Sequence, residues 1–147
     1  MRCKFLVVVL VFMLAGCDSE LSVEAQIARD LRAMADAGEA GDIGGAARFI
    51  GATYRDLRGN DKRAVVNQFR LARLATDNLA IFLDIQSISM ITATLAEADV
   101  RVRFAGIDTG RLALEGASYR FILEVEQDGS EWAIVAARWA RGDGEPR

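Results

Sequence analysis

The order in which two hydrophobic periodicities follow each other constrains the fold of this chain more than any other feature. Up to about residue 75, apolar residues recur at helical spacing, as Val23, Ile27, Leu31 and Met34 do in the first such segment. From Leu79 onward the period changes to two. Helices therefore precede strands, and this order predicts an α+β fold. No repeat or linker divides the 147 residues, so we expect one folded domain.

The first half of the chain predicts three helices, each preceded by a residue that can cap its first turn. They are Ser22 before a helix that ends near Gly38 or Gly41, Asp42 before a short helix over 43–50, and Asp61 before a helix over 62–74. Residues 53–57 favour β-structure and predict a short strand between the second and third helices.

The second half predicts four strands in an antiparallel meander, over 79–90, 98–104, 119–126 and 132–141. The apolar parity flips after Ser87, which indicates a β-bulge. Asp128-Gly129 predicts a hairpin turn. The last segment is apolar on both faces, which is typical of a strand that is central in its sheet or lies at an interface.

The first twenty residues have the features of a bacterial lipoprotein signal. Arg2 and Lys4 are followed by an uncharged apolar run of 11 residues over 5–15. A membrane span needs about 20 residues, so this run is typical of a signal peptide. Leu14-Ala15-Gly16-Cys17 then resembles the lipobox, in which small residues precede the Cys that receives the lipid. The alternative is an ordinary secretory signal in which Cys17 stands by chance.

The lipoprotein hypothesis divides the chain into a signal peptide (1–16), a lipidated tether (17–21), a folded domain (22–141) and a polar tail (142–147). Cys17 would be the only cysteine left after cleavage, so no disulfide could form. We expect a protein anchored on the periplasmic side of a bacterial membrane. Asp18 resembles an inner-membrane retention signal and favours the inner over the outer membrane, unless Asp18 is simply part of a solvated tether.

The composition excludes several kinds of site. The chain contains no His, which removes His-containing catalytic triads and His-ligated zinc. With no free Cys in the mature chain and no Asp/Asn-rich calcium loop, we expect no metal and no cofactor. The net charge of −3 gives no basic footprint for nucleic acid.

Four local motifs, in this order, resemble the nuclear transport factor 2-like superfamily, a cystatin-like cone that includes SnoaL-like cyclases and ketosteroid isomerases. They are Ala40-Gly41-Asp42, Thr53-Tyr54-Arg55-Asp56, Ala98-Asp99-Val100-Arg101-Val102 and the stretch from Asp128-Gly129 to Val135. The resemblance covers about residues 22–141 and is closest to small bacterial lipoproteins. It implies three helices packed on a curved antiparallel sheet, a pocket between them, and a last strand inside the sheet beside the short early strand.

Enzymes with that fold often use an Asp–His pair, or an Asp with a Tyr, as base and oxyanion donor. Without His, the resemblance leaves Asp84 or Asp56 with Tyr54 or Tyr119. Asp84 could point into the pocket or face water, Tyr119 shares the parity of core residues, and Tyr54 could simply pack at a helix–sheet junction. We therefore assign no catalytic residue and keep Asp84 and Tyr54 as candidates.

Three arginines suggest a second kind of site. Arg101 and Arg103 share one strand face, and Arg120 lies on the neighbouring strand. Together they could hold a carboxylate or a phosphate. Alternatively they form a solvated face with cross-strand pairs to Glu124 and Glu126.

The sequence favours a membrane-anchored envelope lipoprotein with a non-catalytic binding or assembly domain. One alternative is a small-molecule isomerase, dehydratase or cyclase-like enzyme with an apolar pocket, which an open pocket holding a buried Asp would favour. Another is a structural subunit, since many proteins of the superfamily form homodimers through the sheet. A filled cone with apolar residues outside would favour that third role.

Overall fold

A computed structural model describes residues 21–75, 78–107 and 117–146. These residues form three helices followed by four strands, as predicted: α1 Val23–Glu39, α2 Ile43–Ala47, α3 Lys62–Ala75, β1 Asn78–Met90, β2 Leu95–Ile107, β3 Ala117–Asp128 and β4 Glu131–Arg141. The strands form one antiparallel sheet in the order β1-β2-β3-β4. The α+β architecture and the meander are therefore confirmed.

Each predicted N-cap is in place. The amides of Ala25, Gly45 and Ala64 donate hydrogen bonds to Ser22 Oγ, Asp42 Oδ1 and Asp61 Oδ1, at 3.2, 2.8 and 2.8 Å. Such caps satisfy N–H groups that have no partner within the first helical turn. After α1, Gly41 has a φ of 76°, a left-handed conformation that a residue without a Cβ adopts at little cost.

The second helix is shorter than predicted and ends at Ala47 instead of residue 50. Phe49 and Ile50 leave the helix because the backbone on either side of Ile50 bonds to β4. The Ile134 amide donates to the Phe49 carbonyl, and the Gly51 amide donates to the Ile134 carbonyl, both at 2.9 Å. Both departing side chains are buried.

The predicted strand over 53–57 is wrong. This stretch forms one isolated bridge, between Arg55 and Asp61, and a second bridge, between Ile50 and Ile134, lies just before it. β4 accordingly does not lie inside the sheet: it is the last of the four described strands, and residues 49–55 cover its edge. Gly51 lies against Ala133 and Val135, which explains why apolar residues stand on both faces of β4.

Two register shifts bend the sheet. The first lies between Ile85 and Ser87 of β1, where the parity flip predicted a bulge. The second lies between β3 and β4 at Glu124 and Val125, and it changes the inward-facing parity of β4 from Trp132 and Ile134 to Ala137 and Trp139. Bulges increase local twist and bending, so they help to curve the sheet around the helices.

The core lies between the inner face of this sheet and the helices. Its buried members come from α1, the segment after α2, and strands β2 to β4: Ile27, Leu31, Ile50, Tyr54, Ala96, Ala98, Val100, Val102, Leu123, Val125, Trp132, Ile134 and Ala137. Alternate residues of each strand face this core, whereas the other face of the sheet carries charged side chains.

Candidate functional site

An open cavity of about 610 Å3 lies between the helices and the inner face of the sheet. Val65, Phe69 and Ala72 of α3 line one wall, and Ile81 and Leu83 of β1 belong to another. Small-molecule sites in proteins have volumes of about 300–1,000 Å3 and mostly apolar walls. The cavity therefore has the size and the lining of a small-molecule site.

Four aromatic side chains form a continuous wall of this cavity, the aromatic wall. They are Phe104 of β2, Tyr119 and Phe121 of β3, and Trp139 of β4. Successive ring centroids lie 6.1 Å apart, within the range of favourable aromatic pairs. The register puts Phe121 directly opposite Trp139, so the antiparallel pairing itself brings these two rings together.

The segment between α2 and α3 brings three polar side chains to the cavity: Tyr54, Asp56 and Arg58. Gln68 and Arg73 of α3 also contribute to the lining. Among the described residues that line the cavity, Asp56 is the only carboxylate. The chemistry of the site therefore depends first on what this carboxylate is free to do.

The Asp56 carboxylate is buried and holds the turn that follows it. Its Oδ1 accepts hydrogen bonds from the amides of Arg58 and Asn60, both at 2.9 Å. Its Oδ2 accepts a third, also 2.9 Å long, from the side-chain amide of Asn60. An Asp that bonds to backbone amides a few residues ahead stabilises a turn. The role of the Asp56 carboxylate is therefore structural: it stabilises the turn formed by the residues that follow it.

Tyr54 presents a protonated phenol to the cavity. The side chain is buried, and burial, followed by the negative charge of Asp56, raises its pKa to about 12. No described residue hydrogen-bonds to the hydroxyl, and no fully buried side-chain polar atom among these residues lacks a partner. The Tyr54 hydroxyl is therefore open to the cavity, where it can donate to a ligand.

Arg58 places a cation beside the aromatic wall. Its guanidinium carbon lies 5.0 Å from the centroid of the Trp139 ring, within cation–π distance. No carboxylate of the described part of the chain forms an ion pair with Arg58. The sequence gave Arg58 only as part of a turn, and nothing in the local pattern signals its meeting with Trp139, which is 81 positions away.

The structure separates the candidate catalytic residues. Asp84 is exposed on the outer face of β1, opposite Arg101, and its Oδ2 accepts a 2.7 Å hydrogen bond from the side chain of Gln86. It does not line the cavity. Tyr54 and Tyr119 do line it, at the junction with α2 and in the aromatic wall respectively.

The three candidate arginines lie on the outer face of the sheet, away from the cavity. Arg120 donates two hydrogen bonds to the Asp99 carboxylate, at 3.0 and 2.7 Å, and these lower the pKa of Asp99. Arg101 pairs with Asp143 of the tail at 3.4 Å, and Arg103 lies over the Phe82 ring at 5.6 Å. Their partners are therefore not the expected Glu124 and Glu126.

The described residues contain no cluster of three or more potential metal-ligating side chains. In the same part of the chain, no helix is both long and apolar enough to cross a membrane. Cys17, Asp18 and the proposed signal peptide lie outside the described residues.

No known protein-family model matches the chain, and no curated protein matches it. Solved structures do. Bd1075 from Bdellovibrio bacteriovorus matches with a TM-score of 0.67 and 12% identity, over 79% of this chain and 40% of that one. The chain thus spans less than half the length of Bd1075.

Two other similar structures match over nearly their full length. A ketosteroid isomerase-like protein from Erwinia carotovora atroseptica has a TM-score of 0.66 and 11% identity, over 85% of this chain and 100% of that one. A nuclear transport factor 2-like protein of unknown function from Shewanella oneidensis has a TM-score of 0.63 and 15% identity, over 78% and 95%. The chain therefore has the nuclear transport factor 2-like, cystatin-like fold that its motifs predicted.

Proposed function

We propose that this protein is an envelope lipoprotein, anchored through Cys17, whose cavity binds a small and mostly apolar molecule without transforming it. The observation that carries the proposal is the open cavity of about 610 Å3 with its aromatic wall. A cone that served only as a structural module would gain stability by filling this space with side chains.

Binding is favoured over catalysis by the state of the one carboxylate in the described lining. A general base must be free to take a proton from its substrate. Asp56 instead accepts three hydrogen bonds within its own turn. The other candidate base, Asp84, is on the opposite face of the sheet from the cavity.

The binding proposal is tested by blocking the cavity. Ala72 and Ala75 are both exposed residues of α3, but only Ala72 lines the cavity. Protein purified from its own membranes is extracted, and the bound small molecules are identified by mass spectrometry. We expect one discrete compound with the wild type and with Ala75→Trp, and its depletion with Ala72→Trp. An equal yield from all three, or no compound from the wild type, would refute binding in this cavity.

The anchor is supported by the lipobox-like Leu14-Ala15-Gly16-Cys17 after a positive n-region. A folded domain that starts at Val23 leaves only a short tether, so the cavity would lie close to the bilayer. Growth with a labelled fatty acid should mark the wild type and not Cys17→Ala. Label that persists on Cys17→Ala would argue against lipidation there. Fractionation of the labelled protein, in parallel with Asp18→Ser, tests the inner-membrane location.

A second candidate function is an isomerase or dehydratase-like activity in the same cavity. It is favoured by one observation: Tyr54 and Asp56 stand two residues apart, both buried and both in the cavity lining. The extracted compound, incubated with the wild type and with Asp56→Asn, separates the two functions by its NMR spectrum. Recovery of the unchanged compound supports binding, and conversion by the wild type alone would establish the enzyme.

A further inference from the structure

The described lining of the cavity holds few charged side chains. The charged side chains in the described lining are two arginines, Arg58 and Arg73, and one carboxylate, Asp56. Arg73 has an interaction of its own, so Arg58 is the cation of this lining that an anionic ligand group would meet.

Arg58 is the cation best placed to meet such a group. A guanidinium over an aromatic ring keeps its in-plane N–H donors available, and these match the two oxygens of a carboxylate. The guanidinium carbon of Arg58 lies 5.0 Å from the centroid of the Trp139 ring, and Arg58 has no ion-pair partner among the described carboxylates. The Tyr54 hydroxyl adds a neutral donor to the same polar segment.

The nearby Asp56 does not cancel this preference. Its oxygens accept hydrogen bonds from the amides of Arg58 and Asn60 and from the side chain of Asn60. These donors face its negative charge, so part of that charge is already compensated within the turn. The Arg58 guanidinium has no such internal partner among the described residues and stays available to a ligand.

We infer that the ligand is a flat apolar molecule with a carboxylate at one end, which Arg58 binds beside Trp139 while the apolar body lies along the aromatic wall. This inference rests on the proposed binding function. The aromatic wall extends from Trp139 through Phe121 and Tyr119 to Phe104, with 6.1 Å between successive rings. A row of rings offers a flat, conjugated body more contact than a branched one.

The test compares two probes that differ at one end only, 1-pyrenebutanoate and 1-pyrenebutanol. Binding to the full chain in lipid nanodiscs is measured by calorimetry at pH 7, and the signal of empty nanodiscs is subtracted. A charge-assisted hydrogen bond contributes enough for about tenfold in affinity. We expect the acid to bind the wild type about tenfold more tightly than the alcohol.

Two arginine variants identify the group responsible. Arg58→Gln should weaken binding of the acid about tenfold and leave the alcohol unchanged. Arg55→Gln is the matched control, because Arg55 is exposed, pairs with Asp61 at 3.9 Å and does not line the cavity. This control should bind both probes as the wild type does.

The outcomes separate the inference from the proposed function. Equal affinities of the wild type for acid and alcohol, or an unchanged affinity of Arg58→Gln for the acid, would overturn the inference and leave cavity binding intact. A failure of both probes to bind the wild type would overturn the cavity-binding proposal and the inference with it.

Discussion

The two ends of the helix–sheet interface are built differently, although α1 runs along both. At one end, the closed end, Ile27 and Leu31 pack against Phe49, Trp132 and Ile134 and leave a void of only about 10 Å3. A void of that size barely admits one water molecule. At the other, the open end, residues of α1 from Leu31 onward line a cavity about sixty times larger by volume, and Leu31 and Ile134 lie between the two ends and border both spaces.

This difference assigns separate tasks to the two ends. Close packing removes apolar surface from water and brings dispersion contacts, so the closed end is where the domain gains most stability per residue. The open end leaves apolar side chains without partners, at a cost in stability. That cost is consistent with a ligand site, because the missing contacts are those that a bound molecule would supply.

The largest expected effect compares two tryptophans on one strand. Trp132 is buried in the closed end, whereas Trp139 is half-buried and lines the cavity. Trp132→Ala should lower the free energy of unfolding by about 3–5 kcal/mol, the usual cost of removing a large aromatic side chain from a core. Trp139→Ala should cost about 1–2 kcal/mol, because part of its surface already faces open space. Denaturant titrations that give equal losses would mean that the two ends are packed alike.

The next effect concerns the turn that carries the polar groups of the open end. Asp56→Asn replaces an acceptor of three hydrogen bonds and should destabilise the domain by about 1–3 kcal/mol. The control is Asp84→Asn on the exposed outer face, which should change stability by less than about 0.5 kcal/mol. If Asp56→Asn did not change the free energy of unfolding, the turn would not depend on this carboxylate. Asp56 would then be a stronger candidate for a general base.

The smallest effect concerns Tyr54. Its pKa is raised to about 12 from the usual 10, so the folded state keeps this proton longer than the unfolded state does. The associated stabilisation is complete below pH 10 and is lost as the pH rises toward 12. A spectrophotometric titration should show a tyrosinate step near pH 12 that Tyr54→Phe removes, while stability at pH 7 stays nearly unchanged. A Tyr54 that titrates near pH 10 would indicate a phenol in contact with bulk water.

The sequence was informative wherever a structure depends on neighbouring residues. The starts of the three helices could be predicted from Ser22, Asp42 and Asp61, because an N-cap side chain accepts a hydrogen bond from an amide three residues ahead. The bulge in β1 could be predicted because the apolar residues change parity beyond Ile85, whereas residues of a regular strand alternate strictly between two faces. Local chemistry fixed the elements and their order.

Features that depend on distant residues could not be read in this way. The predicted strand around Tyr54 is replaced by isolated bridges, because the course of that segment is decided by β4 and not by its own β-propensity. Arg58 meets Trp139 only through the packing of the segment between α2 and α3 against β4, and Arg120 meets Asp99 only through the register of β3 on β2. The face of Asp84, in contrast, follows from the alternation, because its neighbours Leu83 and Ile85 pack against the core and Asp84 therefore points the other way.

The most direct test of the contrast between the closed and the open end places the same enlarged side chain at each. Ile27→Phe adds volume where α1 is fully packed, and Val65→Phe adds volume where α3 faces the cavity. Overpacking a filled core costs about 1–3 kcal/mol. The free energy of unfolding should therefore fall by about 1–3 kcal/mol for Ile27→Phe and change by less than about 0.5 kcal/mol for Val65→Phe. Equal losses in the two variants would contradict an open end built to receive a ligand.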